Sequence, residues 1–142
     1  MLGKVSGRPP ALDLERERDL QRLLVEAASA DLLAAAHDCA EGGFAVALAE
    51  AAIAGDTGFA VTLPGDVPWY VSLFSESASR VVVSVLPERA RELEGLAAER
   101  GVPCARIGET GGPRMVFDSL FELGVDEARA AHEDAIPALL GG

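Results

Sequence analysis

A glycine pair at the start of an alanine-rich segment restricts the fold more than any other feature of this chain. Gly42 and Gly43 open residues 42–54, which have helix-like composition, and Gly55 follows as the expected residue after the helix. Residues 32–37, before the pair, have the length of a short strand. A strand, a tight turn and a helix in this order aim backbone N–H groups out of the helix start. The pattern therefore predicts a turn that positions a helix N-terminus.

This junction has two chemical interpretations, which the residues alone leave open. The N-terminal end of a helix dipole favours anions, and glycine lets a ligand approach the main chain, so Asp38, Gly42 and Gly43 are candidates for a phosphate or nucleotide pocket. The alternative is an ordinary helix N-terminus, whose N–H groups are satisfied by Asp38 or Glu41.

Helix-patterned and strand-patterned segments alternate along the rest of the chain. Helices are predicted over residues 14–30, from Pro87 to a stop at Gly101, and once or twice within residues 118–140. Strands are predicted over residues 58–63, 71–74, 80–86, 102–107 and 114–117, with turns at 64–66 and 108–113. The valines at 81–83 are apolar on both faces, which indicates a central strand. We therefore expect an α/β or α+β protein with a mixed β-sheet layered with helices.

The length of 142 residues suits one domain. Pro9 and Pro10 prevent a helix near the start, so residues 1–12 are predicted to be an extended lead-in and residues 13–142 a single domain. No signal-peptide pattern and no transmembrane segment is evident, and we expect a cytoplasmic protein.

A formal net charge of −11 limits the possible partners. This charge repels a phosphate backbone, so we expect neither nucleic-acid nor membrane binding. Cys39 and Cys104 have no second member of a zinc motif near them, so no metal site is predicted and both are expected to be buried thiols. His37 beside Asp38 is interpreted as a hydrogen-bonded histidine at a strand end, because no nucleophile accompanies it.

Several segments, in order, resemble one family. They are residues 7–13 (GRPPALD), 36–50 (AHDCAEGGFAVALAE), 73–83 (LFSESASRVVV), 107–112 (IGETGG) and the tail 123–140. The chain resembles the last domain of the synthetase subunit of phosphoribosylformylglycinamidine synthase, in the superfamily of aminoimidazole ribonucleotide synthetase. The resemblance implies the fold of that superfamily's C-terminal domain.

The resemblance also implies a function. Members of this family are ligases that use ATP and Mg²⁺ to convert formylglycinamide ribonucleotide to formylglycinamidine ribonucleotide in purine biosynthesis. Their partners are a glutaminase subunit, which delivers ammonia, and a small accessory subunit. The family's acid–base and magnesium residues belong to other domains of the subunit. We therefore expect no catalytic or metal-binding residue here, no certain cofactor for this domain alone, and an isolated chain that is inactive without the remaining domains.

The resemblance further suggests ligand contacts at Ser75, Glu76 and Ser77. In the family, a Glu-Ser-Gln sequence in the first half of the enzyme contacts substrate, and here Ala78 replaces the glutamine. Arg80 and Arg114 are the best local cations for a ligand. The alternatives are a turn closed by hydrogen bonds of the serines and the glutamate, and surface salt bridges for Arg80 and Arg114.

Two other functions stay open from the sequence. One is a stand-alone, non-catalytic module that binds a nucleotide or a protein through an unpaired sheet edge. The other is a related domain of the selenophosphate synthetase type.

Overall fold

The computed structural model of the chain describes residues 11–63 and 67–140, with side chains as far as residue 133. Five helices are described: α1 (Leu14–Ser29), α2 (Gly43–Gly55), α3 (Trp69–Phe74), α4 (Ala90–Glu99), which follows a 3₁₀ turn (Pro87–Arg89), and α5 (Val125–Leu140). The strands of this part are β1 (Ala35–Asp38), β2 (Phe59–Val61), β3 (Val81–Ser84), β4 (Gly108–Thr110), β5 (Arg114–Phe117) and β6 (Phe121–Gly124). The predicted mixture of helices and strands is confirmed. The predicted turn at 64–66 and most of the lead-in lie outside the described residues.

The strands form two sheets. One is mixed and four-stranded, with the order β4-β2-β5-β6, and within it only β2 and β5 run parallel. The other is an antiparallel pair of β1 and β3. The predicted mixed sheet is therefore present, and β1 and β3 form a separate ribbon beside it.

Two hydrophobic clusters lie on opposite faces of β3. Val82 packs against the larger cluster, whose buried members include Phe44, Leu48, Phe59, Leu73, Met115 and Phe117. Val83 and Val85 pack against the smaller one, formed by Leu23, Ala27, Leu32, Leu93 and Ala97. Because successive side chains of a strand point to opposite faces, the apolar run contributes to both clusters. The prediction of a central strand is wrong, however, since within the described chain β3 pairs with β1 alone.

Helix α1 forms where its sequence pattern predicted. Its N-cap is Asp13, whose Oδ1 accepts hydrogen bonds from the backbone N–H groups of Glu15 and Arg16 at 3.0 and 3.1 Å. Leu23 and Ala27 are its buried positions, one helical turn apart. Among the described residues, no helix is long and apolar enough to cross a membrane.

The largest error of the sequence prediction concerns residues 71–74, which belong to α3 and not to a strand. The aromatic and β-branched side chains favour a strand locally. Pro68 precedes the helix instead, and its carbonyl accepts hydrogen bonds from the N–H groups of Val71 and Ser72. Leu73 is the one buried residue of α3, so the segment lacks the alternation of buried and exposed side chains that is typical of a strand.

Other boundaries also differ. Residues 102–107 do not form a strand, and β4 begins only at Gly108, where a Cβ atom would lie 1.9 Å from the Ala60 carbonyl oxygen. Helix α2 includes Gly55, and Asp56 takes the left-handed conformation at its end. The predicted stop at Gly101 is confirmed by its φ of +66°. Residues 118–140 contain β6 before α5, and Cys104 is exposed, not buried.

Candidate functional site

The start of α2 is satisfied by a side chain distant in sequence. The Gly42 N–H donates to Oε1 of Glu76 over 2.9 Å, and Gly42 itself is left-handed with φ +71°. The acceptor is thus Glu76, and neither Asp38 nor Glu41, which the sequence suggested. A carboxylate at this position complements the positive end of the helix dipole. It also occupies the place where a phosphate would bind.

Gly43 allows α2 and α3 to approach closely. Its φ is +72°, and a Cβ atom built on it would lie 2.8 Å from both the Leu73 carbonyl oxygen and the Phe74 carbonyl carbon. Any other residue would collide with the backbone of α3. The second glycine of the pair is therefore required for helix packing.

Arg80 holds the C-terminal end of α3. Its NH1 donates to the carbonyl oxygen and to Oγ of Ser75 at 3.2 and 2.9 Å, and its NH2 donates to the Ser72 carbonyl oxygen at 3.2 Å. The guanidinium also lies 5.9 Å from the ring centroid of Phe44. A cation at a helix C-terminus complements the dipole and binds the terminal carbonyl groups. The surface salt bridge suggested for Arg80 is wrong.

An open depression of about 390 Å³ lies beside these contacts. Its lining combines apolar side chains with the two serines and the arginine of the predicted site: Phe44, Leu63, Val67, Val71, Ser72, Ser75, Ser77 and Arg80. Glu76 lies between two of the lining residues, Ser75 and Ser77, and its carboxylate accepts the hydrogen bond from the Gly42 N–H. The fold thus brings together two segments that are more than 30 residues apart in the sequence.

Asp38 is near this site only through the backbone. The pairing of β1 with β3 puts Asp38 opposite Val81, and the next N–H, of Cys39, donates to the Arg80 carbonyl oxygen at 3.2 Å. The Asp38 side chain is exposed, and its Oδ1 lies 3.7 Å from Nδ1 of the neighbouring His37. Nδ1 of His37 is also hydrogen-bonded to the Asp38 carbonyl oxygen at 2.7 Å, as predicted for a hydrogen-bonded histidine at a strand end, and its Nε2 lies 3.2 Å from Oε2 of Glu50.

The apolar part of the depression was not predicted from the sequence. It is formed by Phe44, Leu63, Val67 and Val71, and two of these, Leu63 and Val71, were assigned to strands. Two signals were available in the sequence: a proline at position 68, and the complete lack of charge in residues 67–75. Together they indicate a helix start followed by an uncharged surface.

The chemistry of this site is that of binding. Burial raises the pKa of the Cys39 thiol, and this effect exceeds the opposing influence of the Arg80 charge, so the thiol stays protonated. The described residues contain no group of three or more histidine, cysteine or acidic side chains that could hold a metal ion. The serine hydroxyls and the guanidinium instead offer hydrogen-bond donors against an apolar wall.

Two curated proteins similar to this chain share one description. The chain is 46% identical to phosphoribosylformylglycinamidine synthase subunit PurL of Moorella thermoacetica, over 97% of this chain and 19% of the relative. It is 44% identical to the subunit of the same description from Thermobifida fusca, over 98% of this chain and 18% of the relative. The chain therefore spans about a fifth of the length of these relatives.

Solved structures agree on the fold. The chain superposes on Thermotoga maritima PurL complexed with ATP with a TM-score of 0.74 at 23% identity, covering 82% of this chain and 22% of that one. It superposes on a chain of PurLQS from the same organism with a TM-score of 0.74 at 23% identity, covering 83% and 22%. Residues 1–118 match the family model described as AIR synthase related protein, C-terminal domain. The predicted resemblance is confirmed, and the chain belongs to the family of AIR synthase related protein C-terminal domains.

Proposed function

We propose that residues 13–142 act as one domain of an ATP-dependent ligase that converts formylglycinamide ribonucleotide to formylglycinamidine ribonucleotide in purine biosynthesis. The domain works in the cytoplasm with the remaining domains of a synthetase subunit, a glutaminase subunit and a small accessory subunit. ATP and Mg²⁺ serve the complete enzyme, and the isolated chain is inactive.

One observation carries this proposal. The chain is 46% identical over 97% of its length to a protein described as phosphoribosylformylglycinamidine synthase subunit PurL. Since it spans only 19% of that relative, most of the relative's sequence has no counterpart here. A domain of this size contributes a part of a ligand cleft and a packing surface to a larger enzyme.

Within the domain, Ser75, Ser77 and Arg80 form the polar wall of the proposed cleft. Phe44 and Val71 supply its apolar wall. A wall of this composition holds a ligand's sugar or base by contact and directs its polar groups to the serines. Arg80 acts mainly by fixing Ser75, because its hydrogen bonds go to that residue and to Ser72.

The glycine pair and its neighbours have a supporting part in this proposal. Gly42 and Gly43 set the start of α2, Glu76 binds the Gly42 N–H, and Asp38 is the last residue of β1, before this junction. A phosphate can bind at this helix start only if the Glu76 carboxylate leaves it, because two anions at one site repel each other. No Mg²⁺ site is proposed in the described part of the chain, since no three of its histidine, cysteine or acidic side chains are grouped so that they could hold a metal ion.

A segment exchange tests the proposed function. The part of the Moorella subunit that matches this chain is replaced by residues 1–142, and ADP release is measured with formylglycinamide ribonucleotide, ATP, Mg²⁺ and ammonia. We expect activity from this chimera and none from a subunit that lacks the segment. Ser77→Asp in the chimera is expected to lower kcat/KM, because a new carboxylate repels the substrate phosphate. Ala98→Asp, exposed on α4 and outside the lining, is the matched control.

A second chimera makes a negative result interpretable. It carries the corresponding segment of the Thermobifida subunit, which is 44% identical to this chain. Activity of the Thermobifida chimera, together with inactivity of a folded chimera containing this chain, would refute the proposed function.

A further inference from the structure

The surface around α3 is unusually apolar for so acidic a chain. Five large apolar side chains are exposed within eight residues: Val67 (56%), Trp69 (50%), Tyr70 (56%), Val71 (39%) and Phe74 (51%). We call these five residues the α3 face. Residues 67–75 contain no charged side chain, whereas 25% of the whole chain is charged. Contiguous exposed apolar patches of this kind mark interaction surfaces in proteins that are otherwise polar.

The α3 face is held firmly although its own side chains are exposed. A helix of six residues is not stable alone, and α3 is fixed by contacts on its other side. Leu73 is fully buried, Gly43 permits backbone contact with α2, and Arg80 binds the carbonyl groups of Ser72 and Ser75. Aromatic side chains on a backbone held in this way lose little conformational entropy on binding, because they have few rotatable bonds, and this favours their use in interfaces.

The composition of the α3 face indicates the chemistry of its partner. Because residues 67–75 carry no charged group, a charged partner surface forms no ion pair with them. An apolar partner surface gains the most binding free energy there. The face is also continuous with the depression, because Val67 and Val71 belong to both. A partner seated on the α3 face therefore closes one side of the proposed cleft.

We infer that the α3 face is the docking surface for another domain of the same synthetase, which presents an apolar, uncharged patch to Trp69 and Tyr70. This inference rests on the proposed function. About four-fifths of each relative's length lies outside the part that this chain covers, so domains are available to occupy the face. The site is incomplete in this chain alone, and the docked domain supplies its missing wall.

Photo-cross-linking in the full-length chimera tests this inference. A benzophenone amino acid replaces Tyr70, and the cross-linked peptides are mapped by mass spectrometry. The matched control carries the probe at Val25, which is 68% exposed on α1. We expect Tyr70 to cross-link to a peptide of another synthetase domain and Val25 not to do so. Adding Trp69→Glu should abolish the Tyr70 cross-link, whereas Leu86→Glu, at another exposed apolar residue (57%), should preserve it.

Several outcomes would overturn the inference. They are a cross-link from Tyr70 to a second copy of this segment, a cross-link to the glutaminase subunit, no cross-link, and the same peptide captured from Val25. The activity of the chimera is measured separately. An active chimera whose Tyr70 captures no other synthetase domain would leave the proposed function intact and reject the docking surface.

Discussion

The α2–α3 side and the α1–α4 side of the molecule use different means to hold a helix in place. On the α1–α4 side, Leu23 and Ala27 of α1 pack against Leu93 and Ala97 of α4, and ion pairs such as Arg100 with Glu26 lie at the solvent edge. On the α2–α3 side, α3 is held by a glycine contact, one buried leucine and an arginine.

The difference shows that a helix needs no amphipathic pattern when backbone contacts fix it. On the α1–α4 side, apolar residues recur with helical period and charged residues face water, so the sequence of each helix indicates its buried face. On the α2–α3 side, the exposed positions of α3 are apolar as well, and the proposed docking surface accounts for them. The first arrangement tolerates surface change, whereas the second depends on a few exact contacts.

Substitution of glycine by alanine should give the largest difference in stability effect between the two sides. Gly43→Ala combines left-handed strain with collision against the α3 backbone, and it should lower the free energy of unfolding by about 3 kcal/mol or more. Gly95 lies in α4 with nothing within 4 Å of a built Cβ. Gly95→Ala should raise the free energy of unfolding by about 0.5–1 kcal/mol, because glycine is a poor helix former.

Urea unfolding of both variants, followed by circular dichroism, measures these effects. The comparison fails if Gly43→Ala unfolds at the same urea concentration as the unchanged chain. It also fails if the two substitutions shift the midpoint in the same direction by similar amounts.

The sequence predicted the elements whose folding depends on local patterns. Helix α1 was predicted to within one residue, because Asp13 caps it and its apolar residues recur with helical period. The fold class and the family resemblance were also found from the sequence. Helix α3 was missed, because its position is set by Gly43, which is distant from it in sequence, and by Arg80, which lies beyond its C-terminal end. No local pattern within residues 71–74 reports those contacts.

Of the predicted site residues, Ser75, Ser77 and Arg80 line one depression, whereas Asp38, Gly42, Gly43 and Glu76 do not. Their role in binding a ligand stays a prediction. The bond between Gly42 and Glu76 was not foreseen, because it joins residues 34 positions apart. The phosphate-binding role of the glycine pair stays a prediction, and the carboxylate on Gly42 makes it less favourable in this conformation. The polar residues can be identified from the sequence, but the groups that each of them binds depend on how the chain packs.

Removing an arginine from each side gives the next largest contrast. Arg80→Met leaves the carbonyl groups of Ser72 and Ser75 without their donor in a partly buried place, which should cost about 2–3 kcal/mol of stability. Arg100→Met breaks a surface ion pair with Glu26, which should cost no more than about 1 kcal/mol.

Arg80→Lys distinguishes the fork of hydrogen bonds from the charge alone. Lysine keeps the charge but cannot donate to three oxygens in the same geometry, so its stability should lie between those of the unchanged chain and Arg80→Met. Equal stability of Arg80→Lys and the unchanged chain, measured by thermal unfolding, would mean that charge at the end of α3 is sufficient.

The smallest effect concerns a hydrogen bond that links the two sides. Ser79, which is left-handed with φ +59°, donates from Oγ to Oε2 of Glu17 on α1 at 2.6 Å. This hydrogen bond, and a second from Gln21, hold the pKa of Glu17 below its ordinary value of 4.5. A carboxylate with a lowered pKa adds stability that is fully present well above pH 4.5 and is lost as the pH falls through the folded value.

Ser79→Ala should therefore cost about 1 kcal/mol or less at pH 7, since the bond is only partly buried and solvent weakens it. The cost should shrink as the solution is acidified below pH 4.5, because a protonated Glu17 no longer favours the bond. Ser29→Ala is the control, because Ser29 Oγ donates to the Val25 carbonyl oxygen, which does not titrate. Thermal unfolding at a series of pH values gives both differences. A Ser79 effect that stays constant with pH, as the Ser29 effect should, would show that Glu17 contributes no charge-dependent link between the two sides.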